Sequence, residues 1–178
     1  PNVTEAKLAT SALLQAHGQA QANDGALPEP EDVCAPDDAD RIGRHLEAAR
    51  PGDYLAFSAY FMRTDARDEA LARLRVLCRD RSRNATTVGY DPRLLHSTGQ
   101  LHKGGPASGL FLQLTSQPTA DLPIPGQPFS FGTLIAAQAL GDLQSLASRG
   151  LRVARVDLGT DVLAGLDQLS QATAAFPR

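Results

Sequence analysis

Asp53-Tyr-Leu-Ala-Phe-Ser-Ala-Tyr-Phe61 is the run on which the fold turns. Its aromatic content and near-continuous apolarity mark a strand buried on both faces, as the central strands of parallel sheets are. A helix follows directly. Asp65 opens it with an acidic first turn (Asp68, Glu69), and Leu71, Leu74 and Cys78 share one face. Arg79 to Arg83 finish it, so acid at the start and base at the end both suit the helix dipole. Ala85 to Tyr90 reads as a second strand, ending at Asp91-Pro92.

Further along, Gly109 to Thr115 (GLFLQLT) is a third strand, and Pro118 to Pro128 a proline-punctuated loop whose Leu122–Gly126 segment must turn tightly. Ser130 caps a long helix from Phe131 to Arg149, with Ala136, Leu140, Leu143 and Ala147 on its apolar stripe and Gly150 as its stop. Leu151 to Leu158 is the last strand, and Asp161 opens a final helix through Leu163, Leu166 and Leu169. Strands alternating with helices predict an α/β layer fold, a mostly parallel sheet flanked by helices. Upstream, Asp38 to Ala49 has helical spacing. Residues 19–37 are acidic and proline-rich, without a period, and read as a linker. Pro1 to Ala16 reads as a helix started at Asn2 and stopped by Gly18. The expected organisation is an N-terminal helical segment (1–18), a linker (19–37) and a C-terminal α/β domain (38–178). The abrupt start without an initiator Met reads as a fragment.

Composition limits the function. The chain has 178 residues, 42% apolar and 21% charged, with a net charge of −3 and scattered basic residues. That argues against nucleic acid as a partner. No run of 18 apolar residues exists, which excludes a helical membrane span. Cys34 and Cys78 lie in unlike settings, so neither a disulfide framework nor a zinc site is expected, and a reducing cytoplasm is. Of the 17 basic residues only Lys7 and Lys103 are lysines.

Lys103 falls in the stretch with the densest chemistry, Leu94-Leu-His-Ser-Thr-Gly-Gln-Leu-His-Lys-Gly-Gly-Pro106. Read as a glycine-rich loop after a strand, it is placed where α/β sheets bind ligands. His96 is the candidate acid/base, because its two forms interconvert near neutral pH. His102 and Lys103 could hold an oxyanion beside backbone N–H groups of Gly99, Gly104 and Gly105. Ser97, Thr98 and Gln100 could bond a hydroxylated ligand. Against each stands a plain structural use: a turn histidine, surface polarity, a self-satisfied amide. The spacing of His96 and His102 fits no zinc site. Gly-x-Ser-x-Gly, Walker and dinucleotide motifs are absent. The residues alone point to a small polyhydroxylated or phosphorylated ligand.

The run from Leu95 to Pro106 resembles the C-terminal part of glucose-6-phosphate isomerases, above all the form fused behind a transaldolase. The resemblance continues through Leu122–Gly126, Phe131–Leu134, Ala136–Leu143 and Arg152–Val156, and Pro1–Lys7 resembles the end of the family's Gln-Pro-Gly-Val-Glu-x-x-Lys motif. It implies a sugar-isomerase-like fold and cofactor-free, metal-free interconversion of glucose 6-phosphate and fructose 6-phosphate through an enediol. His96 would then match the ring-opening histidine, which reaches a neighbouring subunit's site in that family, and Lys7 the active-site lysine. Ser97, Thr98, Gly99, Gln100, His102, Lys103, Gly104 and Gly105 would form the substrate-binding stretch around His96. The implied partners are a sugar phosphate, upstream isomerase and transaldolase domains, and a second copy of the chain. The family's glutamate motif and Ser/Thr phosphate loops are not found here, so the chain alone is expected to be inactive. The alternative is a non-catalytic sugar-phosphate-binding or assembly domain on such a fusion.

Overall fold

The computed structural model describes residues 2–20, 27–28, 30 and 32–175. Five strands, β1 (Val33–Cys34), β2 (Tyr54–Tyr60), β3 (Ala85–Tyr90), β4 (Gly109–Thr115) and β5 (Arg152–Asp157), pair in the order β1-β5-β4-β2-β3. Every pairing is parallel. Six helices flank the sheet: α1 (Asn2–Ala20), α2 (Ala39–Glu47), α3 (Asp65–Ser82), α4 (Ser97–Gly104), α5 (Phe131–Ala147) and α6 (Val162–Ala175). The predicted α/β layer fold is therefore the observed one. None of the described helices is long and apolar enough to cross a membrane.

The two faces of the sheet differ in chemistry. Because side chains alternate along a strand, Leu55, Phe57 and Ala59 of β2 share one face with Leu110, Leu112 and Leu114 of β4. They form the main core with Leu71, Leu74 and Cys78 of α3 and Leu166 and Leu169 of α6. Each fully buried Leu or Phe there contributes about 1.5–3 kcal/mol relative to exposure. The opposite face, under α1, α4 and α5, has only small apolar clusters around Phe111 and Leu146 and around Tyr60, Leu94 and Ala139. Between them it carries Ser58, Gln113 and Arg155, all buried.

The expected Ser130 cap is present, and Asp38 and Thr64 cap α2 and α3 in the same way, whereas Asn2 lies inside α1. Asp38, Thr64 and Ser130 each accept a bond from the backbone N–H three residues on, as capping requires. α3 closes on Arg83 in the left-handed conformation, φ 60°.

Four expectations change. Gly18 does not stop α1, which runs on to Ala20 with Gly18 packed against Pro128. α1 is not apart from the α/β body, because it lies along α5, where Thr10 donates to Ala137 O at 3.5 Å. Within the expected linker, Val33 and Cys34 pair with Arg155 and Val156 as an edge strand; residues 21–26, 29 and 31 of that linker lie outside the described residues. On α5, Ala136 and Ala147 are exposed; Leu140 is buried as expected, and Ala137, Ala139, Gly141, Asp142, Ser145 and Leu146 are buried beside it. That helix packs on the sheet and on α1 at once, so its contacts span more than one stripe.

Candidate functional site

Strand addition changes direction between β2 and β4. β3 lies on one side of β2, and β4 and β5 build outward on the other. The carboxyl ends of the strands at such a reversal leave a crevice for ligands. Tyr60 pairs with Thr115 in register, and Thr115 with Asp157, so their ends are level. A cavity of 690 Å³ opens there, beneath the first turns of α5 and beside Leu27 and Pro28.

Next to this crevice lies a buried polar cluster. Lys103 of α4 and Asp142 of α5 form an ion pair, their side chains 1% and 3% exposed. Gln113 donates to Ala139 O (2.9 Å) and accepts from Arg155 Nε (2.7 Å). Arg155 Nη2 and the Tyr60 hydroxyl are buried without a hydrogen-bond partner. Burial raises the Tyr60 phenol well above its usual value, and the Asp142 and Asp91 carboxylates add to this. Asp91, on the turn after β3, is pushed up to about 7, first by desolvation and then by Asp142, with Lys103 pulling the other way. His102 lies near Tyr54 (5.9 Å) and edge-on to Phe111 (5.2 Å). Burial and then the Lys103 charge lower its pKa.

The stretch read as a glycine-rich loop is mostly a helix. After a 3₁₀ turn over Arg93–Leu95, α4 runs from Ser97 to Gly104. Gly99 makes this possible: a Cβ there would lie 1.7 Å from the Leu94 carbonyl oxygen. Its missing side chain serves a close approach within the chain, not to a ligand. Gly105 and Pro106 end the helix, because proline cannot continue one. His96 is the N-cap residue, exposed, and its side chain makes no capping hydrogen bond. Ser97, Thr98, Gly104 and Gly105 are exposed, Gly99 is buried and Gln100 half-buried. His102 and Lys103 point inward, and the Lys103 ammonium is engaged by Asp142. Lys7 is exposed on α1. The structure thus keeps His96 on the surface and puts Lys103 beneath it in the interior.

No protein-family model matches the chain, and no curated protein does. Among solved structures, the crystal structure of a hypothetical protein from Thermus thermophilus is similar, with a TM-score of 0.56 at 21% identity over 76% of this chain. This chain spans 37% of the length of that protein. The likeness is one of fold.

Asp91, Asp142, Tyr60, Gln113 and Arg155 were not singled out by sequence reasoning. A signal was present in the strands. Gln113 interrupts the apolar run of β4 and Arg155 sits mid-strand in RVARVD, each on the face that alternation assigns to α5. Asp142 lay hidden in a helix read for its alanines and leucines. Among the described residues no group of three His, Cys, Asp or Glu side chains is arranged to hold a metal ion.

Proposed function

We propose that the chain is the C-terminal domain of a glucose-6-phosphate isomerase of the transaldolase-fused kind, inactive by itself and completed by other parts of the polypeptide or by a second copy. One observation carries this reading. His96 is presented at the exposed tip of α4, with no capping bond from its side chain, on a helix anchored from below by the Lys103–Asp142 pair. An exposed imidazole on a rigid base suits an acid/base that acts on a substrate held elsewhere. In the proposed reaction His96 moves a proton between the ring oxygen and C1 hydroxyl of the sugar. A carboxylate supplied by another segment carries the C2 proton to C1 through the enediol, and no oxidant or cofactor enters the balance. Lys7, exposed on α1, is available to a completed site in the same way. Two free, buried cysteines support a reducing cytoplasm as the working compartment.

A second reading, a non-catalytic assembly domain, is favoured by Leu8 and Leu101. Both are 65% exposed, on the packed helices α1 and α4. The test is isomerase turnover of the intact parent polypeptide carrying His96→Ala. A fall in kcat of about 100-fold or more with the fold retained supports the isomerase role. Unchanged turnover assigns His96 and its helix to assembly.

A further inference from the structure

The 690 Å³ cavity at the ends of β2, β4 and β5 has a polar floor that the isomerase reading does not use. Arg155 lies in its wall, 8% exposed, held through Nε by Gln113, while Nη2 faces no acceptor. The Tyr60 hydroxyl lies in the same wall, beside the Asp142 carboxylate and the Gln113 side chain but without a close hydrogen bond to either. No ion pair to Arg155 forms among the described residues; the carboxylate closest in sequence on its face, Asp157, is engaged by Gln117 Nε2 (2.8 Å) and the Gly159 N–H (2.9 Å). A buried guanidinium nitrogen without a hydrogen-bond acceptor, in the same wall as the Tyr60 hydroxyl, is costly unless an acceptor reaches it.

The remaining walls narrow the choice of acceptor. Phe61, Met62, Ile135 and Leu140 are apolar, with Leu27 and Pro28 across the opening. Asp157 stands at the rim and Asp142 is close enough to act on the Arg155 charge. Asp142 is already paired with Lys103, and Asp157 is held by Gln117 and the Gly159 N–H, so the wall has no excess positive charge and disfavours a dianion such as a phosphate ester. A planar fork of N–H donors suits a carboxylate. The volume falls in the range of small-molecule sites, about 300–1,000 Å³.

We propose that this cavity binds a small organic monocarboxylate with an apolar, ring-sized body, its carboxylate taken by Arg155 Nη2 and the Tyr60 hydroxyl. Neither His96 nor α4 lines the cavity, so the proposal stands or falls apart from the isomerase reading.

The test is calorimetric titration of the full 178-residue chain with phenylacetate, and with 2-phenylethanol and inorganic phosphate as uncharged and dianionic probes. The expected result is saturable one-site binding of phenylacetate, with binding of the other two at least about tenfold weaker. Arg155→Met should weaken it by at least about tenfold. Ala136→Trp, at an exposed position on the cavity rim, should block it while leaving Arg155 in place. Circular dichroism confirms that each variant is folded, and Ala136→Trp decides if Arg155→Met does not fold. The proposal is overturned by absence of saturable phenylacetate binding up to about 10 mM, by phosphate binding equally well, or by undiminished binding in either folded variant.

Discussion

Asp91 has one carboxylate oxygen buried without a partner, and its pKa is pushed up to about 7 from 3.8. Between those values the folded chain keeps a proton that the unfolded chain has released, so stability falls as pH rises through this window. Asp91→Asn should remove that slope. The variant should match the wild type near pH 4 and exceed it at pH 8 by about 1–2 kcal/mol, less than full linkage because Asp91 is partly exposed. Urea unfolding at the two pH values measures the difference, and an equal gain at both would show that the carboxylate is not the cause. His45 works in the opposite direction. Burial lowers it to about 4 from 6.5, so the stability it contributes is lost as pH falls between those values. With Asp91 neutralised, the rise in stability from pH 4 to 6.5 should therefore be steeper. Neither residue's setting could be read in the sequence. The scarcity of lysine did single out Lys103, but its partner Asp142 is 39 residues away and no local pattern joins them.

Among the elements, β2 to β5 were legible because breakers bound them, whereas the two-residue β1 was hidden in a proline-rich acidic run. β3 and β4 match the predicted limits, and β2 and β5 are each one residue shorter at either end. α4 was not legible, since four of its eight residues are Ser, Thr or Gly, which favour caps and turns over helix interiors. Its stability comes from what it packs against. Lys103 fastens it to α5, and Gly99 lets it sit on Leu94. Lys103→Met should cost about 3–5 kcal/mol, because it leaves the Asp142 carboxylate buried and unpaired. The double variant Lys103→Met/Asp142→Leu should recover most of this in urea midpoints. If the double variant is no better than the single, the pair is not the anchor of α4 and the support for His96 must be sought elsewhere.

At the scale of the whole molecule, the alternation of strands and helices made the layered parallel sheet predictable. The strand order was not, because it is set by contacts far apart in sequence. The docking of α1 shows this best. Gly141 lies under it, where a Cβ would be 2.6 Å from Thr10 Oγ1 and 3.0 Å from the Ala6 carbonyl oxygen. Gly141→Leu should push α1 away while leaving the sheet intact. Amide hydrogen exchange should then quicken by about tenfold or more in α1 and stay unchanged in β2 and β4, as expected for a locally released unit. Unchanged protection of α1 would show that its seat lies elsewhere. β1 carries a consequence of another kind. Val33 pairs with Arg155 and α1 lies on α5, so each leaves the ribosome well before the element it packs against has been made. At about 5–20 residues per second, β1 waits on the order of ten seconds for β5. During that interval β1 lacks its sheet partner, and a chaperone or a neighbouring nascent chain can reach it before its own sheet does.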